Sequence, residues 1–114
     1  MNIDRSLMTG STTLLVLSLL REGEKYGYEM IQELALRSDD TFKLKEGTLY
    51  PILHTLEKGK YIKSRAVTAP SGRERKYYRI TKDGLALLEE KTAEWEHFTE
   101  KVNGVIYGGA RSLA

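Results

Sequence analysis

Apolar positions along the chain follow two rhythms, a helical one at both ends and an alternating one between. Residues from Ser11 to Arg21 carry Leu14, Leu15, Val16, Leu17, Leu19 and Leu20, which predicts a helix apolar nearly all round. Such a helix needs cover on every side, more than a domain this small ordinarily supplies. Glu22-Gly23-Glu24-Lys25 reads as a turn. Tyr26 to Arg37 is a second helix, with Met30, Ile31, Leu34 and Ala35 at helical spacing, broken by Ser38-Asp39-Asp40. Leu49, Ile52, Leu53 and Leu56 form one apolar stripe on a third helix. Thr48 is the expected N-cap, which sets Pro51 in the first turn, where its missing N–H costs nothing. Gly59 is placed to end that helix.

Two extended segments follow, Tyr61 to Thr68 and Arg75 to Ile80, joined through the turn signal Ala69-Pro70-Ser71-Gly72. Together they predict a β-hairpin. Tyr78 and Ile80 share one face, and Arg75, Tyr77 and Arg79 the other. Lys76 falls on the apolar side by parity, near the tip, where it can snorkel. Lys60, Lys63 and Arg65 are expected on the far side. Thr81 caps a last helix reaching Asn103-Gly104 or Tyr107-Gly108, with a frayed tail from Gly108 onward. Leu85, Leu88, Thr92, Trp95, Thr99, Val102 and Ile106 alternate by three and four, a heptad seam. At about 1.5 Å per residue this helix outruns its own domain, and its seam calls for a partner.

Composition narrows the chemistry. The 114 residues are 40% hydrophobic and 30% charged, which suits one globular domain. Without cysteine there is no disulfide, thiolate metal site or cysteine nucleophile. His54 and His97 are too few for a zinc site. The longest apolar run, Leu14 to Leu20, falls far short of the roughly 20 residues a membrane span needs. No small-residue cleavage site follows it, so the expectation is a cytoplasmic protein without cofactor or metal.

The formal charge of +2 conceals a division. Residues 1–59 carry net −2, residues 60–79 net +6, and residues 81–114 net −2. The cation is confined to the hairpin: Lys60, Lys63, Arg65, Arg73, Arg75, Lys76 and Arg79 against Glu74 alone. That is a footprint for phosphate, or a solvated hairpin without a partner. The order of elements favours the first. Three helices, a hairpin and a closing helix make a mostly α fold with a small β-hairpin, a winged helix-turn-helix plus a long C-terminal dimerisation helix. Its third helix has a polar front that fits a major groove about 12 Å wide.

Four segments also resemble one family. Tyr26-Gly27-Tyr28-Glu29, Lys45 to Pro51, Leu56-Glu57-Lys58, and Arg75 to Thr81 followed by Gly84 are similar, in this order and spacing, to the PadR family of bacterial transcriptional regulators. The resemblance spans about residues 10–90 and is closer to the small subfamily with a single C-terminal helix. It implies a homodimeric repressor whose last helix packs on the partner's first.

Candidate sites follow. Lys45, Thr48, Tyr50 and His54 are expected to meet double-stranded DNA from the third helix, and Arg73, Arg75, Lys76 and Tyr77 from the hairpin. The helix front lacks arginine, the commonest reader of guanine, so DNA shape and dimer spacing share the specificity. Leu15, Leu88, Trp95, Val102 and Ile106 are candidates for the dimer interface. Trp95 has two open readings. One is ordinary interface core. In the other, which rests on resemblance to the multidrug-sensing branch of the family, it walls a pocket for a small aromatic effector with Ser11, Leu14, Thr92, Phe98 and Thr99. That branch carries a carboxylate one turn after the tryptophan, where this chain has Thr99.

The expected division is residues 1–80 as a winged helix-turn-helix and 81–114 as dimerisation helix and tail. The expected function is a dimeric, sequence-specific repressor on a pseudo-palindromic operator. The alternative is a winged-helix protein-interaction module that does not bind DNA. No phosphate loop, metal triad or catalytic constellation supports an enzyme.

Overall fold

The computed structural model describes residues 3–112. Its elements run α1 (Arg5–Arg21), β1 (Lys25–Tyr26), α2 (Gly27–Arg37), α3 (Glu46–Lys58), β2 (Ile62–Thr68), β3 (Glu74–Ile80) and α4 (Lys82–Ser112). α1 begins six residues before the expected Ser11. Asp4 caps it, its carboxylate accepting the Ser6 N–H at 3.3 Å. In its first turns Thr9, Ser11 and Thr12 each turn the hydroxyl back onto a carbonyl three or four residues earlier, at 2.9, 3.1 and 3.1 Å.

Most of α1's apolar surface is covered within the protomer, contrary to expectation. Val16, Leu17, Leu19 and Leu20 are buried with Met30, Leu34, Leu49, Leu53, Leu56, Ile62, Tyr78 and Leu88. Leu14 and Leu15 are half-buried and Leu7 is exposed, so one flank of α1 stays open.

The expected turn at Lys25 contains a strand. β1 pairs antiparallel with β3, Lys25 opposite Tyr78 and Tyr26 opposite Tyr77, and the sheet order is β1-β3-β2. Two residues are too few for an alternation to show in sequence. The hairpin matches its prediction closely, with Ile62 opposite Ile80 and Thr68 opposite Glu74. At its tip the Gly72 N–H closes a turn on the Ala69 carbonyl at 2.8 Å, and Gly72 takes φ +86°, a conformation suited to glycine.

α3 starts earlier than predicted. Lys45, not Thr48, is its N-cap residue, and the Thr48 and Leu49 N–H groups both reach the Lys45 carbonyl at 3.0 Å. Pro51 therefore lies inside the helix and leaves the Gly47 carbonyl without its usual donor. Burial of Leu49, Leu53 and Leu56 carries the helix through, and Glu46 in the first turn suits its positive end.

Thr81 caps α4 as expected. Its hydroxyl accepts the Gly84 N–H at 3.1 Å and lies 2.8 and 3.0 Å from the Lys60 and Tyr61 carbonyls. α4 continues through the expected tail to Ser112, 31 residues in all. It packs along α1 and projects beyond it, giving the molecule a 65 Å long axis. Residues 113 and 114, part of the tail expectation, lie outside the described residues.

Candidate nucleic-acid interface

The sequence Tyr26-Gly27-Tyr28-Glu29 builds one wall of a cleft. The Tyr26 N–H donates to the Glu29 carboxylate at 3.1 Å, fixing the start of α2. The Tyr26 ring meets Tyr77 edge-on at 5.3 Å, and the Arg75 guanidinium lies 4.5 Å over the Tyr26 ring. Gly27 leaves room for the Tyr50 side chain of α3. The wing tip closes the far side. The resulting cleft, about 680 Å³, is lined by Tyr26, Gly27, Tyr28, Glu46, Tyr50, Arg73, Glu74, Arg75 and Lys76.

Five of the predicted nucleic-acid residues thus surround or approach one opening. Tyr50, Arg73, Arg75 and Lys76 line it, and Tyr77 supports it from below through Tyr26. Lys45, the N-cap of α3, and Thr48 and His54 on the helix are exposed outside it. Lys45 and Thr48 face instead a groove toward α1. Glu46 and Glu74 put two carboxylates into the cleft, which the sequence reading did not weigh.

The hairpin cations are not equivalent. Register puts Lys63 opposite Arg79 and Arg65 opposite Tyr77, hence on the same face as Arg75. This corrects the expectation that Lys63 and Arg65 lie on the far side; antiparallel pairing gives opposite residues one face. Arg65 is engaged by Glu24, with Nε to Oε2 at 2.8 Å, and that bond holds the Glu24 carboxyl below its ordinary value. Lys76 stands 3.8 Å from Glu57, which also takes the Ser64 hydroxyl. Arg73, Arg75, Lys63 and Arg79 form no ion pair among the described residues.

A second hollow, about 280 Å³, lies where α1 crosses α4 and is lined by Ser6, Leu7, Gly10, Leu14, Lys91, Glu94, Trp95 and Phe98. Of the predicted effector residues it unites Leu14, Trp95 and Phe98, the two rings 6.3 Å apart. Ser11, Thr92 and Thr99 stand outside its wall. Their hydroxyls bond within their own helices, Thr92 to the Leu88 carbonyl at 2.8 Å and Thr99 to that of Trp95 at 3.0 Å. Glu94 supplies a carboxylate that spacing from Trp95 alone did not assign to this hollow. Of the predicted interface residues, Leu88 is buried, Leu15 and Val102 are half-buried, and Trp95 and Ile106 are exposed.

Among the described residues no helix is long and apolar enough to cross a membrane, and no three acidic or histidine side chains gather to hold a metal ion.

Three helices, a three-stranded sheet with a projecting cationic hairpin, and an α3 presenting a polar front beside it define a winged helix-turn-helix. Residues 16–90 match the family model described as Transcriptional regulator PadR-like family. A transcriptional regulator of Mycobacterium tuberculosis is 32% identical over 101 residues, covering 88% of this chain and 90% of that protein. Among solved structures, a transcriptional regulator from Clostridium thermocellum superimposes with TM-score 0.80 at 37% identity, covering 86% of this chain and 95% of the other. A PadR family regulator from Eggerthella lenta gives 0.80 at 34% identity, covering 90% and 87%. The chain belongs to the PadR-like family of transcriptional regulators.

Proposed function

We propose that the chain is a homodimeric, sequence-specific DNA-binding repressor of the cytoplasm, with residues 1–80 reading DNA and residues 81–114 joining the protomers. The observation that carries this reading is the cleft between α3 and the wing. It sets Tyr50 on one lining with Arg73 and Arg75, two cations that form no ion pair among the described residues although Glu46 and Glu74 share the cleft. Each α3 enters a major groove, and the paired helices sit about 34–36 Å apart on a pseudo-palindromic operator. Arg73, Arg75 and Lys76 take backbone phosphates, while Thr48, Tyr50 and His54 on α3 meet phosphates and base edges. Charge reversal at Arg73 and Arg75 tests it. DNA binding by the double variant should vanish, whereas a protein-interaction module would keep its partner and lose nothing on DNA.

Dimerisation through α4 is supported by its unpartnered apolar surface. Val105 is 85% exposed and Ile106 61%, on a helix that outruns its own body. The Trp95–Phe98 hollow is the proposed effector site, open to a planar aromatic compound, with Glu94 and Lys91 of opposite charge on its wall. Such a ligand relieves repression only by favouring one dimer geometry over the DNA-binding one.

A further inference from the structure

The first turn of α3 divides its side chains between two grooves. Glu46 and Tyr50 face the wing. Lys45, Thr48 and Ile52 face α1, where they line a groove of about 730 Å³ with Arg5, Met8, Thr9, Thr12, Thr13, Lys43 and Leu44. Arg5, Lys43 and Lys45 are all exposed, and none forms an ion pair among the described residues. Glu46, next to Lys45, lines the opposite cleft, and Asp4, next to Arg5, caps α1 through the Ser6 N–H. The hydroxyls of Thr13 and Thr48 donate no hydrogen bond among the described residues. The groove is therefore a cationic, hydroxyl-lined trough with a floor made by Met8, Leu44 and Ile52.

We infer that this α1–α3 groove is a second phosphodiester-binding surface, which grips the DNA strand opposite the one held by the wing. The inference rests on the DNA-binding reading above and extends it to Arg5 and Lys43. An α-helix with its side chains is about 10–12 Å across and a major groove about 12 Å wide, so a helix inserted there has a sugar–phosphate backbone on each side. The wing can reach one of them. The other faces the α1 side of α3, where three free cations and two free hydroxyls stand. Hydroxyls and cations of this kind fix register on the backbone without reading bases.

The test is fluorescence anisotropy with a labelled random-sequence duplex, between about 50 and 200 mM salt. The Arg5→Gln/Lys43→Gln variant is compared with the unaltered chain, with Arg5→Lys and with Arg73→Gln/Arg75→Gln. The log–log slope should become shallower by roughly 0.9 for each phosphate contact removed, about 4 for a dimer lacking both residues twice. Arg5→Lys should keep the original slope. Both groups are exposed, so circular dichroism should be unchanged. An unchanged slope in the α1-side variant, alongside a flattened one in the wing variant, overturns this proposal and leaves the DNA reading standing. Absence of salt-dependent binding by the unaltered chain removes that reading and this proposal with it.

Discussion

A β-carbon at Gly27 would lie 2.6 Å from the Tyr50 hydroxyl oxygen and 2.9 Å from the ring carbon that bears it. The glycine at the start of α2 therefore sets where a recognition-helix side chain stands. Gly27→Ala should push Tyr50 out of the cleft and lower DNA affinity several-fold, and because Tyr50 is 42% exposed and can yield, it should cost about 1 kcal/mol or less in folding stability. Adding Tyr50→Ala should restore the stability but not the affinity. A double-mutant cycle by thermal melting and anisotropy reads both. Additive stability losses would mean that the two residues do not constrain each other.

Gly84 has less latitude. A β-carbon there would meet the Tyr61 carbonyl oxygen at 2.0 Å, and this neighbour is backbone, not a movable side chain. Thr81 pins the same carbonyl, so neither partner can retreat. Gly84→Ala should cost about 3 kcal/mol or more, because the start of α4 must lift from the link between α3 and β2 at Tyr61. Chemical denaturation gives the value directly, and a loss under about 1 kcal/mol would show that α4 docks more loosely than described.

The legible parts of this molecule were those with a repeating signal. The stripe Leu49–Leu56, the alternation around Tyr78 and the Thr81 cap each repeat or punctuate over enough residues to be read. β1 was missed because two residues carry no period. The early start of α3 was missed because Pro51 argues for a later one, and only burial of Leu49 and Leu53 outweighs it. At the cleft, Arg73 and Arg75 were visible as charge. The entry of Glu46 and Glu74 depends on side-chain direction, and the fate of Arg65 on a carboxylate 41 positions away in the chain. Sequence spacing shows neither.

Tyr78 links the wing to pH. It is buried against α3, and loss of solvent, with Glu57 and Tyr50 nearby, raises its phenol above the ordinary value. The unfolded chain then ionises first, so this residue leaves stability unchanged at neutral pH. Stability falls as pH climbs past about 10, through the interval up to the folded value. Thermal melts across that range should show the decline, and Tyr78→Phe should flatten it. An equal decline in the variant would assign the effect to other groups.

Trp95 and Glu94 make a separable prediction. Planar aromatic cations should quench Trp95 emission, and Glu94→Gln should weaken them several-fold while leaving neutral planar compounds unchanged. A carboxylate facing a cation in a partly apolar hollow is worth more than the same pair in open solvent, and the prediction holds only where Glu94 outweighs Lys91 on the same wall. Equal weakening of both ligand classes would place Glu94 in the packing of the hollow and not in charge recognition. Unaltered emission at saturation with all of them would return Trp95 to the role of interface core.

The distal half of α4 tests the dimer. Ile106 is 61% exposed, and Val102, one turn earlier on the same seam, is half-buried. If the seam closes on a second copy, Ile106→Glu would bury a charge against apolar side chains, an arrangement that costs several kcal/mol unless the contact opens. Sedimentation equilibrium should show the dimer dissociation constant raised at least tenfold, with helicity unchanged because position 106 touches little of its own protomer. Operator binding should weaken more than non-specific binding, since only paired α3 helices read two half-sites at once. A variant that stays dimeric at micromolar concentration would mean that α4 does not join the protomers through its distal seam. The open flank of α1 at Leu7 and Leu14 would then be the surface to alter next.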